Sequence, residues 1–252
     1  MRGYDHSTYG EGFADVYDDW YGDITDVGST VEFLGQLAIE TSPLPMLELG
    51  VGTARLALPL ALSLAGRPVW GLDSSPAMLA RAVAKKPPPN LHLVQDDMVE
   101  GIAALCPGEV FGLIFVAFNT FFNLTSVAAQ QRCFTEAAGR LASNGYFVLE
   151  AFVPDVPTRN GDQIEVKSLS SDRVVLSIAQ YRDDQRAEGQ FVEFTESSGV
   201  RLRPWSIRYA SPEQLDTLAE SAGLVLRERW ENFARDAFTE DSPSHISVYG
   251  PT

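Results

Sequence analysis

The sequence has little cysteine, histidine or positive charge. Cys106 and Cys133 are its only cysteines, so no disulfide framework staples the chain, and a reducing, cytoplasmic setting is expected. Its three histidines, His6, His92 and His245, lie far apart, and no cluster with metal-ligand spacing is present. Lysine and arginine number 19 against 34 acids, a net charge of −15, which argues against a nucleic-acid partner. No apolar run approaches the roughly 18 residues of a membrane span. The opening M-R-G-Y-D-H-S-T-Y lacks the apolar core of a signal peptide, so no membrane partner is expected either.

Within these bounds stands an ordinary apolar content of 45% in 252 residues, enough for one domain carrying an insert. The informative stretch is Pro45–Arg55, P-M-L-E-L-G-V-G-T-A-R. A short apolar strand runs into two glycines spaced by one residue, and an Ala/Leu-rich helix follows. Small residues at such a turn let backbone and helix N-terminus approach a ligand closely. About twenty residues further on, the apolar strand Val69–Asp73 ends in an acid, the layout of a site that holds a ribose by its hydroxyls.

Strand and helix signals alternate along the first part of the chain. Residues 30–41 read as a helix stopped by Pro43 and Pro45. Strands are expected at Met46–Leu49, Val69–Leu72, Leu91–Val94, Val110–Phe118 and Tyr146–Phe152, with a turn at Asn144-Gly145 before the last. Helices are expected at Ala54–Leu64, from Pro76 after a Ser74-Ser75 turn, and at Val127–Leu141. This alternation implies a parallel sheet covered on both faces. After Pro154 the pattern changes to four strand candidates without helices, Gln163–Leu169, Val174–Tyr181, Gln190–Glu196 and Arg203–Tyr209. A capped helix from Ser211 to Ala222 and strands at Leu224–Trp230 and His245–Tyr249 then resume the α/β unit.

Residues 1–30 hold Tyr4, Tyr9, Tyr17, Trp20 and Tyr21 among Asp15, Asp18, Asp19, Asp23 and Asp26. Short helices with an aromatic face are expected, broken or ended by Gly10, Gly12, Gly22 and Gly28. Two readings stand side by side: an aromatic face packed on the domain, or a cover over the ligand.

Taken together, Glu48-Leu49-Gly50-Val51-Gly52-Thr53 and the unit Gly71-Leu72-Asp73-Ser74-Ser75-Pro76-Ala77-Met78-Leu79 resemble the class I S-adenosylmethionine-dependent methyltransferases. The resemblance covers residues 46–152 and resumes at 211–249. It implies an α/β, Rossmann-like seven-stranded sheet of order 3-2-1-4-5-7-6 with the final strand antiparallel, helices on both faces and an antiparallel β insert after strand five. Three parts follow: an N-terminal helical cover and first helix (1–44), a cofactor-binding α/β domain (45–153 and 210–252), and an insert forming a substrate cover (154–209). The implied cofactor is S-adenosylmethionine, held by Glu48, Gly50 and Gly52 at its methionine part, by Asp73 with Ser74 and Met78 at the ribose, and by Asp97 and Met98 at the adenine. Phe118 and Asn119 would stand at the methyl-bearing end. Ala54 departs from the glycine many relatives carry; a helical backbone would accommodate it. Arg55 is open to two readings, a hold on the cofactor carboxylate or a surface arginine.

The opening pattern Tyr9, Phe13, Ala14, Tyr17, Asp18, with the β insert, is similar to small-molecule methyltransferases that act on amino sugars and glycine-like amines. Tyr9, Tyr17 and Tyr21 would then line the pocket. Phe122, Asn123, Trp205, Arg208 and Tyr209 are the candidate substrate-binding residues. His245, Tyr17 and Asn119 are the candidate catalytic ones, His245 as a base at the pocket rim. The acidic N-terminal segment favours a cationic amine acceptor. An O-methyltransferase using His245 or a metal, a nicotinamide-dependent oxidoreductase, and a cofactor-binding protein without catalysis are the other readings. Both monomer and homodimer stay open, the latter through the insert's β edges.

Overall fold

The computed structural model describes residues 1–22, 26–41, 43–105, 108–154 and 161–252. Asp23 and Cys106 lie outside the described residues. Two short helices, α1 (Thr8–Phe13) and α2 (Tyr17–Tyr21), precede α3 (Val27–Glu40). The α/β alternation then runs β1 (Met46–Leu49), α4 (Ala57–Ser63), β2 (Val69–Asp73), α5 (Pro76–Ala84), β3 (Leu91–Gln95), α6 (Glu100–Ala104), β4 (Phe111–Val116), a 3-10 turn (Thr120–Asn123), α7 (Val127–Arg140) and β5 (Leu141–Phe152). The insert is β6 (Gly161–Leu169), β7 (Arg173–Tyr181), β8 (Arg186–Thr195) and β9 (Gly199–Arg208). The chain closes with α8 (Pro212–Ser221), β10 (Leu224–Trp230) and β11 (Ser244–Pro251).

The large sheet has the order β10-β11-β5-β4-β1-β2-β3. Counting β10 and β11 as strands six and seven, this is the expected order, with β11 antiparallel to β5. The central strands β1 and β4 are buried along their whole length because both faces are covered. Alternate residues feed two cores. Ile114 and Val116 face Phe134 of α7 and Leu215 of α8. Leu113 and Phe115 face Phe33 and Leu37 of α3 and Leu60 of α4. Side-chain caps start α3, α5, α7 and α8 where the chain must turn. Ser75 caps α5 by accepting from the Met78 amide, with Pro76 at the first position. Ser211 and Gln214 form a reciprocal capping box on α8.

Several local expectations are corrected. Residues 54–56 form a turn, and α4 begins at Ala57. No turn separates α7 from β5: Leu141 already pairs with Phe111, and Asn144-Gly145 sits where the register jumps to Leu113 opposite Tyr146. Gly28 lies within the first turn of α3, which Asp26 caps through the Ser29 amide. Gly10 and Gly12 lie inside α1 instead of ending it. A Cβ on Gly10 would stand 2.4 Å from the Ser75 Cβ, so glycine there lets α1 dock against α5. Helix α6 and the 3-10 turn had no clear periodic signal, because both are shorter than two helical repeats.

Ala54 is left-handed, with φ of 59°, where a helical backbone was expected. Its methyl is buried in the core on the α3 side. The left-handed cost of roughly 1–2 kcal/mol is offset by the buried methyl, about 0.8 kcal/mol, and by the chain entropy that glycine would add, roughly 0.5–1 kcal/mol. Ala54→Gly should therefore change unfolding free energy by less than about 0.5 kcal/mol in urea titrations, the same turn being reached at equal cost.

Candidate active site

The first loop follows from its backbone. Gly50 has φ of 69°, and a Cβ there would meet the Thr120 methyl at 2.3 Å. The loop between β1 and α4 thereby closes onto the 3-10 turn after β4. The Gly52 amide donates to Asp73 Oδ2 at 2.8 Å, and the Ser75 amide donates to Oδ1 at 2.8 Å. Burial raises the Asp73 carboxyl above its ordinary range, and these two donors oppose the rise. Just before α6, Asp97 Oδ1 accepts from the Val99 amide at 2.8 Å and the Glu100 amide at 3.2 Å.

Gly50, Gly52, Asp73, Ser74, Met78, Asp97, Met98 and Asn123 line one slot, roofed by His6, Gly10 and Tyr17 of the N-terminal segment. Its open volume is about 70 Å³, far below the several hundred Å³ a ligand pocket takes. His6, Gly10, Thr120 and Leu124 are lining residues that the motifs did not single out. Gly10 and Thr120 could have been found only from the packing that brings them to the loop.

Glu48 lies beneath this loop, 5% exposed, and its Oε2 has no hydrogen-bond partner among the described residues. Burial pushes its carboxyl up to about 8, against a backbone hydrogen bond from Ala57 and the Arg55 charge. A buried, unpaired carboxylate oxygen suits a cationic ligand group. The donor set thus fits the implied cofactor: acids for an ammonium and a ribose, an acid and a thioether for an adenine.

Just past strand β4 stand two consecutive left-handed residues, Phe118 and Asn119, with φ of 58° and 61°. The surroundings hold them there. The Phe118 amide donates to Glu150 Oε2 at 2.7 Å, and the Phe152 amide donates to Asn119 Oδ1 at 2.6 Å. Asn119 therefore clamps the ends of β4 and β5 together. The Tyr21 ring meets Phe118 at 5.4 Å, Tyr17 meets Tyr21 at 4.9 Å, and Tyr9 stacks on Phe13 at 4.4 Å. Arg55 donates to the Tyr21 carbonyl at 2.8 Å and lies over the Phe118 ring. The aromatic segment is thus both packed, against Met78 and Phe191, and set over the slot. Burial raises the Tyr17 hydroxyl well above its ordinary range, so it stays protonated and can donate.

The N-terminal acids have other partners than an acceptor. Glu11 accepts from Ser75 Oγ and the Ala77 amide. Asp18 accepts from Thr53 and pairs with Lys85. Asp15 pairs with Arg201 and Arg203, and Asp26 caps α3. These carboxylates fasten the roof to the domain and to the insert.

His245 is corrected from the pocket rim to the interior. It is fully buried on β11, its Nδ1 2.8 Å from Ser247 Oγ. Burial, with the Arg229 charge, pushes its pKa down to about 3, so it is neutral and does not line the slot. Its contribution to stability is present above about pH 6.5, the unfolded value, and is lost as pH falls toward 3. His245→Gln should resist acid unfolding better than the natural protein and should leave the pH profile of turnover unchanged. A lost acid-side limb in the variant would restore the base assignment.

Phe122 is also corrected, to the core, where it is fully buried and edge-on to Phe152 at 5.0 Å. Arg208 donates to Gln130 Oε1 and Gln185 Oε1. Tyr209 lines a second cavity of about 720 Å³ with Phe152, Tyr181, Ile207, Glu240 and Asp241. Strand alternation puts Trp205 on the same face of β9 as Ile207. Its indole N–H is buried without a partner among the described residues. Among the described residues no group of three or more His, Cys, Asp or Glu side chains is placed to hold a metal.

A methyltransferase-domain family model matches residues 46–145. The chain is similar over 99% of its length to the whole of the CcbJ methyltransferase from Streptomyces caelestis, with 35% identity and a TM-score of 0.88. It shares its fold, at 20% identity, with the sugar N-methyltransferase KedS8 from Streptoalloteichus sp (98% of each chain, TM-score 0.66). At the same identity it shares the fold of CalS10, an amino pentose methyltransferase from Micromonospora echinaspora (94% of this chain and 97% of that one, TM-score 0.69). No curated protein sequence matches it.

Proposed function

The chain belongs to the class I S-adenosylmethionine-dependent methyltransferases, and from that premise we propose that it methylates the nitrogen of a small cationic amine. The observation that carries the amine is the second cavity. Phe152, Tyr181 and Tyr209 supply aromatic walls, and the exposed Glu240 and Asp241 stand at its edge. Aromatic faces and carboxylates together attract an ammonium on an apolar frame. A sugar N-methyltransferase and an amino pentose methyltransferase of the same fold agree with this choice.

When bound, S-adenosylmethionine supplies a methyl made electrophilic by its sulfonium. The chain's part is to hold, orient and dry the reactants. Asp73 would accept from the ribose hydroxyls, Asp97 and Met98 would meet the adenine, and Glu48 would pair with the ammonium. Tyr9, Tyr17, Tyr21 and Phe118 would exclude water from the reacting end. A carboxylate at the mouth, Glu240 or Asp241, would take the proton an ammonium must lose before attack. The parts follow the same reading: cover 1–44, cofactor domain 45–153 and 210–252, insert 154–209. A cytoplasmic setting is part of it, with Cys133 a free, buried thiol.

Labelled methyl transfer from S-adenosylmethionine to pools of amines and of phenols tests the proposal. Label in the amine pool, reduced on the order of ten-fold by Glu240→Gln with Asp241→Asn, is the expected result. Label confined to phenols would point to O-methylation. Binding of a nicotinamide dinucleotide without S-adenosylmethionine would sink the reading.

A further inference from the structure

Of the non-glycine residues with positive φ, Lys86, Gln185 and Arg235 lie in turns beyond the ends of α5, β7 and β10, and Ala54 lies in the first loop. Phe118 and Asn119 differ from these. They are consecutive, they join β4 to the 3-10 turn, and one of them is aromatic. Asparagine visits the left-handed region readily, but a bulky side chain there is a true outlier. Such a conformation persists only where the surroundings over-determine it. The restraint on Phe118 comes from β5. Its amide donates to Glu150 Oε2 at 2.7 Å, and Glu150 is itself fixed in the sheet, opposite Ile246 of β11. No sequence motif singled Glu150 out.

We propose that Glu150 is a positioning residue for methyl transfer. Through the Phe118 amide it sets the direction in which the Phe118 ring projects, and the ring fixes how the methyl-bearing end of the cofactor lies. This role rests on the placement of Phe118 at that end and is the same for an amine or a hydroxyl acceptor. The ring is held from the other side by the cover: Tyr21 meets it at 5.4 Å, and the Arg55 guanidinium stands 4.6 Å from its centroid. The backbone beneath has the one tie to Glu150, while Asn119 is tied separately to the Phe152 amide. Glu150 also borders a cavity of about 280 Å³, shared with Asp26, Thr30 and Glu231. A side chain that no longer reaches the amide has room to turn away into it. Phe118 can then relax to an ordinary φ and carry its ring out of line. A misplacement of about 1 Å at a reacting centre costs on the order of 100-fold in rate.

Two substitutions separate reach from charge. Glu150→Gln keeps an oxygen at the same distance and loses the charge. Glu150→Asp keeps the charge and falls short by one carbon–carbon bond, about 1.5 Å. Labelled methyl transfer to the amine and phenol pools is measured at saturating S-adenosylmethionine, with cofactor affinity from calorimetry. Glu150→Gln should turn over within about three-fold of the natural protein, and Glu150→Asp at least about ten-fold more slowly. Both should bind S-adenosylmethionine within about three-fold of the natural affinity. A second measurement needs no turnover. Phe118→Gly takes the left-handed turn without steric cost. Glu150→Asp should therefore lower the urea midpoint of the natural protein and leave that of Phe118→Gly in place. Natural turnover in Glu150→Asp, or equal falls in midpoint in both backgrounds, would overturn the proposal. So would a Glu150→Gln as slow as Glu150→Asp, which would make Glu150 a proton carrier instead. A natural protein that binds the cofactor and labels neither pool would overturn the methyl-transfer reading, and this role with it.

Discussion

Glu48→Gln should flatten the pH dependence of stability above pH 5 and should bind S-adenosylmethionine without releasing a proton. The unfolded carboxyl titrates at 4.5, and burial pushes the folded one up to about 8. Between those values the unfolded chain gives up a proton that the folded chain keeps. The Glu48 term is therefore most favourable below about 4.5 and is lost as pH rises toward 8. At 1.36 kcal/mol per pH unit the loss is at most about 5 kcal/mol. Urea unfolding at several pH values would show the natural protein losing stability over that range and the glutamine variant losing much less. Parallel curves for the two proteins would remove Glu48 as the cause.

Ligand binding should report the same group. A cation set against Oε2 favours the ionised carboxylate, so binding below pH 8 expels a proton. Calorimetry in buffers of different ionisation enthalpy counts that proton. In the glutamine variant the count should fall to zero and affinity should drop roughly 10- to 100-fold, the range of 1.4–3 kcal/mol for a lost charge-assisted bond.

Arg203→Met should cause the largest loss of stability of any substitution in the N-terminal cover or its supports. Arg203 is 1% exposed. Its guanidinium donates to Asp15 Oδ1 at 2.6 Å, to Glu193 Oε2 at 2.7 Å and to the Gly12 carbonyl at 2.5 Å, and it lies over the Trp20 ring. Removing one partner of a buried ion pair costs about 3–5 kcal/mol. Asp15 keeps Arg201 and Glu193 keeps Arg173, which puts the loss at the lower end, about 3 kcal/mol, or a fall in midpoint on the order of 10 °C.

The functional consequence separates this network from simple packing. The cover is fastened to the insert by this buried arginine and to the cofactor domain by more accessible bonds, Ser74 to the His6 carbonyl among them. With Arg203 gone, S-adenosylmethionine should leave on the order of ten-fold faster. Stopped-flow displacement measures that rate. An unchanged rate in a destabilised variant would mean the insert supports the fold without holding the cover.

Much of this was readable from local chemistry. The strands themselves, the first loop, Asp73 at the end of β2 and the four insert strands come from period, punctuation and spacing within a few residues, because strand propensity and turn stereochemistry are local; the order of the seven strands came only from the family resemblance. The sequence also named the aromatic N-terminal segment, though not which of its two readings held; the structure joins both. Partnership across the chain was beyond reach. That Asp15, Asp18 and Glu11 fasten the cover, that His245 and Phe122 are interior, and that Gly10 makes room for Ser75 all depend on residues brought together from distant elements of the chain. A side chain's charge and size are written in the chain, but its burial and its partner are set only when distant elements pack, and those two decide its chemistry.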